Sequence, residues 1–304
     1  MKKYQVFLFL VLANLFWAGN YVFGKYVVAE MSPLQMTFSR WVIAIFLLFP
    51  LAHWIERPDW KNVWNQWKIL IVLSLLGILG YNLLLYEALR FTTSLNAALV
   101  NSINPAVIVL FSAILLKERI SLVNGFGLVI SLLGVLLVLT KGHLEQIFLI
   151  DYNRGDLLML LDILVWTFYS ILGKKIQNVP PISATAVSVL LGLVMLLPFI
   201  LVSGVHFPLS KEAAIGILYI GIFPSVGSFV FWNASIREIG PSRAGIYLNL
   251  ITVFTALLSL VMGNPITFVQ ILGGLLVFIG VYLSSQKRRQ EQAALLNQQK
   301  ISTK

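Results

Sequence analysis

Two charged side chains lie inside apolar segments of this chain, and their chemistry suits the handling of a small charged solute. Arg40 follows Pro33 by seven residues in the segment 34–52, and Asp162 lies a similar distance after Gly155 in the segment 156–175. At 1.5 Å per helical residue, each lies roughly 10 Å from the outside boundary of a membrane. A charge at that depth is costly unless it is paired or faces water. We therefore predict that both face a central aqueous cavity, where Arg40 holds a substrate carboxylate or Asp162 takes part in proton coupling.

Structural roles for these charged groups are open alternatives at this point. Equal depth also allows Arg40 and Asp162 to form an ion pair with each other, and the long Arg40 side chain is able to extend outward to the membrane surface. Glu87 lies three residues before Arg90 near the end of an apolar segment. An i,i+3 ion pair is expected there, with proton coupling as the alternative.

Amides and aromatic rings supply further candidates for a solute site. Asn101 and Asn104 share one helical face, and such amides either line a cavity or tie helices together. Tryptophan and tyrosine rings within spans offer amphipathic walls for a small organic ligand, although aromatic residues at span ends also form interfacial belts. The predicted substrate-binding set is Trp17, Arg40, Asn101, Asn104, Asp162, Trp166, Tyr169 and Tyr247.

The residues present exclude several catalytic and metal chemistries. The chain has no cysteine, and its three histidines, His53, His143 and His206, lie far apart at segment ends. It contains no Gly-x-x-x-x-Gly-Lys-Ser/Thr phosphate loop, no His-Glu-x-x-His motif and no Gly-x-Ser-x-Gly motif. We therefore expect that the protein is not an enzyme and that it needs no metal or cofactor.

The elements that must position these residues are membrane-spanning helices. Of the 304 residues, 59% are hydrophobic and only 11% are charged, with a mean hydropathy of +0.88, which is far more apolar than ordinary soluble domains. A span needs about 20 mainly apolar residues. By that rule the chain is an all-α polytopic membrane protein with ten transmembrane helices, at 5–24, 34–52, 68–89, 93–116, 122–140, 156–175, 182–203, 212–235, 242–262 and 267–285.

The distribution of lysine and arginine predicts how the chain is oriented. With a cytoplasmic N-terminus, 16 of the 22 basic residues lie inside, 5 lie outside, and Arg40 lies within a span. Such an excess follows the positive-inside rule. We therefore expect cytoplasmic N- and C-termini in a multi-pass plasma-membrane protein, with a cytoplasmic basic tail at 286–304. The net charge of +10 then reflects orientation in the lipid bilayer, and no nucleic-acid partner is expected.

The chain repeats itself, with the two copies about 146 to 149 positions apart. The informative matches are Trp17 with Trp166, Gly24 with Gly173 and Lys25 with Lys174 at an offset of 149, and Gly127 with Gly273 and Gly134 with Gly280 at an offset of 146. Each copy contains five predicted spans, an odd number, so the second must cross the membrane in the opposite sense. The predicted domains are repeat 1 at 5–140, an external connector at 141–154 and repeat 2 at 155–285.

Short motifs follow one another in a definite order along the chain, and the second half carries a pattern related to that of the first. They are Phe16-Trp17-Ala18-Gly19-Asn20 with Lys25, Pro33-Leu34 followed by Arg40, Tyr86-Glu87-Ala88-Leu89-Arg90, Asn96-Ala97-Ala98, Asn104-Pro105 and Glu118-Arg119-Ile120, then Trp232-Asn233-Ala234, Gly240-Pro241-Ser242-Arg243-Ala244 and Gly273-Gly274 through Gly280. This order resembles the EamA-type branch of the drug/metabolite transporter superfamily over residues 5 to 285. The resemblance implies ten spans, two EamA repeats, cytoplasmic ends and transport of small metabolites or drugs without ATP. The chain departs from the family pattern at Gly263-Asn264, where Gly-Glu is usual, and at Leu250-Ile251, where Glu-Pro is common.

These observations predict a secondary transporter that exports small metabolites, such as amino acids, or amphipathic drugs. Alternating access would come from two inverted halves that rock around a cavity near the membrane midplane. Coupling to protons through Asp162 and facilitated diffusion both fit the sequence, and the oligomeric state is left open. Two other classes also fit: a flippase for lipids or lipid-linked sugars, and a membrane scaffold that transports nothing.

Overall fold

The computed structural model describes residues 3–92, 97, 100–118, 121–149, 153–176, 178–204, 209–261 and 266–285, and every regular element in these ranges is helical. This confirms the all-α class. The helices are α1 (Lys3–Val27), α2 (Pro33–Glu56), α3 (Trp60–Asn65), α4 (Trp67–Phe91), α5 (Asn104–Leu115), α6 (Leu122–Thr140), α7 (Arg154–Lys175), α8 (Pro181–Ser203), α9 (Lys211–Ile239), α10 (Pro241–Gly245), α11 (Leu250–Val261) and α12 (Phe268–Ser285).

Seven of these helices are long and apolar enough to cross a membrane: α1, α2, α4, α6, α7, α8 and α9. Large apolar side chains remain exposed on them, among them Phe46 on α2, Phe126 on α6 and Leu201 on α8. Exposed apolar surface of this extent marks a face that meets lipid rather than water. A multi-pass membrane protein is therefore supported by both helix length and surface chemistry.

The predicted fourth and ninth spans are not continuous helices. In the fourth, the chain turns at Ser102 and Ile103, and α5 begins only at Asn104 with Pro105 in its first turn. Proline favours this position because it lacks an N–H and would break a helix interior. In the ninth, a 3₁₀ segment, Ile246–Asn249, separates α10 from α11. Since Ile103 and Asn249 are 146 positions apart, the two breaks match across the repeat. Ten crossings remain a prediction.

Helices α4 and α9 each contain a wider π-helical segment, at Ser74–Gly80 and at Phe223–Ser228. Glycines in a membrane helix permit close approach of a neighbouring helix or a kink. Close approach is found at Gly77, where an added Cβ would lie 2.3 Å from the Tyr169 ring. Pro224 lies in the first turn of the second π segment. Segments of this kind are rare in helices and occur frequently at functional sites.

Helices α6 and α12 cross with their backbones in direct contact at the four glycines that match in the repeat. A Cβ added at Gly134 would lie 2.5 Å from the carbonyl oxygen of Gly273, and one added at Gly280 would lie 2.5 Å from that of Gly127. The glycine nearer the N-terminus of each helix therefore contacts the glycine nearer the C-terminus of the other helix. The two helices run antiparallel. Small residues permit this close approach of helices in a membrane.

Two lysines that match in the repeat hold the ends of two long helices. The ammonium group of Lys25 donates to the carbonyl oxygens of Leu89, at 2.7 Å, and of Thr92, at 3.1 Å, at the end of α4. Lys174 donates in the same way to the carbonyl oxygen of Arg237 at the end of α9. The last carbonyls of a helix lack intrahelical donors, and a cation there also complements the helix dipole.

Candidate functional site

A cluster of aromatic rings fills the centre of the protein. Trp17 of α1 lies 5.1 Å from Trp166 of α7 and 5.6 Å from Trp232 of α9, measured between ring centroids. Phe229 of α9 and Tyr169 of α7 complete the set, which we call the central cluster. Trp17 and Trp166 are only 1% and 2% exposed, so they do not form an interfacial belt. Their indole N–H groups have no hydrogen-bond partner among the described residues.

Tyr169 is fixed in this cluster by a polar contact that sequence reasoning missed. Its hydroxyl donates to the side-chain oxygen of Asn233 at 3.0 Å, and the Asn233 amide donates to Thr185 at 3.0 Å. A contact of the same kind occurs in the first half, where the Tyr86 hydroxyl donates to Asn20 at 2.9 Å. The signal in the sequence was polar residues within apolar spans, but it does not say which polar residues meet.

Arg40 is completely buried and is held by neutral side chains from both halves. Its Nη1 donates to the side-chain oxygen of Asn82 and to the hydroxyl of Tyr86, both on α4. Its Nε donates to the hydroxyl of Ser225, in the π segment of α9, at 2.7 Å. Nη2 has no partner in the described part of the chain. The outward-extended Arg40 considered from the sequence is therefore wrong, because the guanidinium turns into the protein.

The guanidinium also lies against aromatic rings that connect it to the central cluster. Its carbon is 5.0 Å from the centroid of the Trp41 ring and 5.7 Å from that of Tyr86. The Trp41 ring in turn lies 5.0 Å from that of Phe229. Rings at such distances attract a cation through their electron-rich faces. Arg40 and the central cluster are thus parts of one site.

Asp162 is buried one helical turn before Trp166 on α7 and is not paired with Arg40. Neither carboxyl oxygen has a hydrogen-bond partner among the residues described. Tyr21 and Tyr81 lie within electrostatic reach of the group. The Arg40–Asp162 ion pair, which the sequence left open as an alternative, is therefore wrong: equal depth along two helices does not make their side chains point at each other. An ionised carboxylate at this position would have neither hydrogen bond nor counter-ion from these residues.

Three of the predicted site residues lie apart, at the broken fourth and ninth spans. The Asn104 amide donates to the side-chain oxygen of Asn101 at 3.2 Å, so these two amides bond to each other. Tyr247 is 3% exposed, and its ring lies 6.0 Å from that of Phe7 in an edge arrangement. The structure thus groups Trp17, Arg40, Asp162, Trp166 and Tyr169 at the centre, and places Asn101, Asn104 and Tyr247 at the two breaks.

The Glu87–Arg90 pair expected from its i,i+3 spacing is confirmed. The carboxylate and the guanidinium of these two residues are 3.0 Å apart. Both side chains are partly exposed at the end of α4, with relative accessibilities of 29% and 51%. Exposed pairs of this kind contribute little to stability. Within the described ranges, no three His, Asp or Glu side chains come together as metal ligands.

Carboxylates of the first half cap helix N-termini of the second half at both ends of the protein. Glu30 accepts hydrogen bonds from the hydroxyl and the backbone N–H of Ser210, just before α9. Glu118 accepts from the backbone N–H of Ser242, just after α9, at 3.3 Å. Because α9 has 29 residues, these two contacts lie at opposite ends of the molecule. At the Glu118 end, Glu56 accepts from Ile182 and Ser183 at the start of α8, each backbone N–H at 2.8 Å.

The contact at Glu30 depends on the charge of the carboxylate. Hydrogen bonds from the Ser210 hydroxyl and backbone N–H hold the pKa of Glu30 below its ordinary value of 4.5. A lowered pKa means that the contact stabilises the folded protein above pH 4.5 and that this contribution is lost as the pH falls through the lowered value. The contact is therefore intact at neutral pH.

Known proteins related to this chain cover almost its whole length. The family model described as "EamA-like transporter family" matches residues 5–140 and again 153–286. A Bacillus subtilis protein named "Uncharacterized transporter YyaM" is 29% identical over 291 residues, which cover 94% of this chain and 95% of that protein. An "Uncharacterized transporter" of Archaeoglobus fulgidus is 30% identical over 287 residues, covering 93% and 98%. One solved crystal structure shares the fold, with a TM-score of 0.74 and 20% identity over 92% of this chain and 96% of that one.

Proposed function

Because the chain belongs to the EamA-like transporter family, we propose that it is a secondary transporter that exports a small organic solute carrying a carboxylate group, such as an amino acid or an amphipathic metabolite. The observation that carries this proposal is the buried Arg40 guanidinium, which has only neutral partners in the described part of the chain. A buried guanidinium with neutral neighbours is stabilised most by an anion that accepts two parallel hydrogen bonds from it, as a carboxylate does. Its unpartnered Nη2 is available for a second hydrogen bond.

The central cluster supports an organic solute rather than an inorganic anion. Indole and phenol rings of α1, α7 and α9 fill the centre of the protein near Arg40, and apolar walls with a few oriented polar groups are typical of small-molecule sites. Trp17 belongs to the first half, whereas Trp166 and Trp232 belong to the second. In this proposal the solute separates these rings when it binds, and Asn101, Asn104 and Tyr247 line its route at the broken spans.

The proposed mechanism is alternating access by two inverted halves with ten crossings in all. The antiparallel contacts of Gly134 with Gly273 and of Gly127 with Gly280 support the inverted arrangement. Replacing each residue of one contact by its match in the other repeat gives the second contact, as a two-fold axis between the halves would. The matching breaks at Ile103 and Asn249 support it as well. Interrupted helices at corresponding positions of two repeats are typical of secondary transporters. The excess of basic residues on one side supports cytoplasmic termini.

The test of this function is a comparison of metabolites in cells with and without the protein, followed by uptake into reconstituted vesicles. We expect cells that lack the protein to retain a carboxylate-bearing solute that wild-type cells release. The purified protein should then move that solute across a vesicle membrane without ATP. If the retained solutes are only phospholipids or lipid-linked sugars, the protein is a flippase instead.

Asp162 is proposed to couple transport to protons, because a buried carboxyl group without a fixed counter-ion can take up and release a proton in each cycle. We expect Asp162→Asn to abolish accumulation of solute against its gradient when a pH difference is imposed, while exchange of labelled for unlabelled solute continues. Both are measured in reconstituted vesicles.

The control for this experiment is Glu87→Gln, which removes a partly exposed carboxylate already paired with Arg90. It should leave both activities unchanged. Accumulation by Asp162→Asn at the wild-type level would exclude coupling through this residue and would favour facilitated diffusion.

The contacts at the two ends of α9 predict opposite conformational effects. Removing the Glu30 carboxylate with Glu30→Ala should favour opening at the Ser210 end, and Glu118→Ala should favour opening at the Ser242 end, because each contact joins the two halves. The chain has no cysteine, so buried reporters can be introduced as Met31→Cys and Ser242→Cys. We expect each removal to raise alkylation of the nearer cysteine about two- to fivefold and to lower that of the farther one.

Two results would contradict alternating access in this experiment. One is a rise of alkylation at both reporters in the same variant, which would indicate general loosening. The other is no change at either reporter in both variants.

A further inference from the structure

The eight tryptophans of the chain divide into two equal groups. Trp17, Trp41, Trp166 and Trp232 are buried in the centre. The other four are Trp54, Trp60, Trp64 and Trp67, which fall within 14 residues from the end of α2 to the start of α4. Tryptophan is enriched where a protein meets the lipid headgroups, because its ring is apolar while its N–H is polar. The second group therefore lies at a membrane surface.

An open cavity of about 510 Å³ lies in this segment, lined by His53, Trp54, Arg57, Pro58 and Trp60. Trp60 stacks on Phe49 of α2, with ring centroids 5.5 Å apart and an angle of 25° between the planes, which fixes that wall. Trp54 is 72% exposed and the neighbouring Ile55 is 67% exposed. An apolar surface thus extends from the cavity toward the surroundings of α2.

Arg57 is the one side chain of fixed charge among the residues that line the cavity, and the two nearby carboxylates are engaged in hydrogen bonds with other groups. Glu56 accepts the hydrogen bonds at the start of α8, and Asp59 accepts from the backbone N–H of Lys61 at 3.0 Å as the cap of α3. Arg57 has a left-handed backbone with φ 46°, at the end of α2, and its exposed side chain forms no ion pair with any described residue. Lys61 and Lys68 add positive charge on the same segment.

We propose that this cavity binds the headgroup of an anionic phospholipid, with its phosphate held by Arg57 and its acyl chains beside Trp54 and Ile55. The basic side chain supplies the charge that complements the phosphate. The exposed apolar surface of Trp54 and Ile55 beside the cavity suits the acyl chains of a membrane lipid and offers nothing to a free phosphate. In the orientation proposed above, the cavity faces the cytoplasmic leaflet.

Native mass spectrometry of the purified full-length chain tests this proposal. The protein in detergent is given equal amounts of dioleoyl phosphatidylglycerol and dioleoyl phosphatidylcholine. We expect the wild type to retain one phosphatidylglycerol in preference to phosphatidylcholine. Arg57→Asn should lower the phosphatidylglycerol-bound fraction about fivefold, because it removes one positive charge at the membrane surface. Asparagine tolerates the left-handed backbone, so the fold is kept.

The matched control is Lys141→Asn. Lys141 also ends a helix with a left-handed backbone, at φ 52°, and is exposed, but it lies far from this cavity at the end of α6. It should retain lipid as the wild type does. Equal retention of the two lipids by the wild type, unchanged retention by Arg57→Asn, an equal loss in Lys141→Asn, or displacement of the lipid by excess soluble glycerol phosphate would each overturn the proposal.

Discussion

Replacing Arg40 with methionine is expected to lower transport of the solute about 100-fold, the usual consequence of removing one partner of a buried, hydrogen-bonded charge pair. Methionine keeps much of the side-chain volume but has no group that can hold a carboxylate. Arg40→Lys should also be strongly impaired, since an ammonium group cannot reproduce the planar fork of donors. Initial rates of uptake into vesicles, at matched protein content, provide the measurement.

The same substitution should leave the protein folded, which separates a binding role from a structural one. The three partners of Arg40 keep other hydrogen bonds: Asn82 donates to the carbonyls of Gly77 and Ile78, Tyr86 donates to Asn20, and Ser225 donates to Ile220. A buried cation without a counter-ion is itself unfavourable for folding. The midpoint of thermal unfolding should therefore stay unchanged or rise.

The control for Arg40 is Arg90→Met, which removes a guanidinium that is half exposed and paired with Glu87 at the end of α4. It should transport at the wild-type rate. The binding role of Arg40 is contradicted if Arg40→Met transports normally, and also if its transport falls only in proportion to a loss of folded protein.

A single methyl group at Gly134 is expected to destabilise the protein by about 1–3 kcal/mol, the range for overpacked interiors. The Cβ of Gly134→Ala would lie 2.5 Å from the carbonyl oxygen of Gly273 and 2.7 Å from the backbone nitrogen of Val277. Both are backbone atoms, so α6 and α12 must move apart and lose contact along their crossing. Thermal unfolding of the purified protein, followed by size-exclusion chromatography with fluorescence detection, measures this effect.

Gly125→Ala is the matched control for that prediction. Gly125 lies on the same helix, and nothing lies within 4 Å of the Cβ that alanine would add. Because alanine favours helix over glycine by up to about 1 kcal/mol, this variant should be as stable as the wild type or more so. Equal stability of Gly134→Ala and Gly125→Ala would contradict the close backbone contact between α6 and α12.

Hydropathy and residue spacing were sufficient to predict the class of protein and most of its long helices. Hydropathy predicted seven spans that the structure contains as helices, because a membrane requires about 20 apolar residues wherever the chain crosses it. Comparison of the two halves of the sequence identified glycines that contact each other in the structure. It also identified two lysines that each donate to a carbonyl oxygen at the end of a long helix. Depth along a helix also identified Arg40 and Asp162 as buried charges.

Which of these side chains contact one another could not be predicted without the folded protein. Arg40 bonds to Ser225, 185 positions away, and to two residues of α4, rather than to Asp162 at the same predicted depth. Depth follows from counting residues, whereas the direction of a side chain depends on how each helix is rotated in the packed protein. The π segments and the breaks at Ile103 and Asn249 change that rotation part-way along a helix. The local pattern of apolar and polar residues does not reveal such changes of rotation. The contacts of Arg40 and of the central cluster could therefore be identified only in the folded protein.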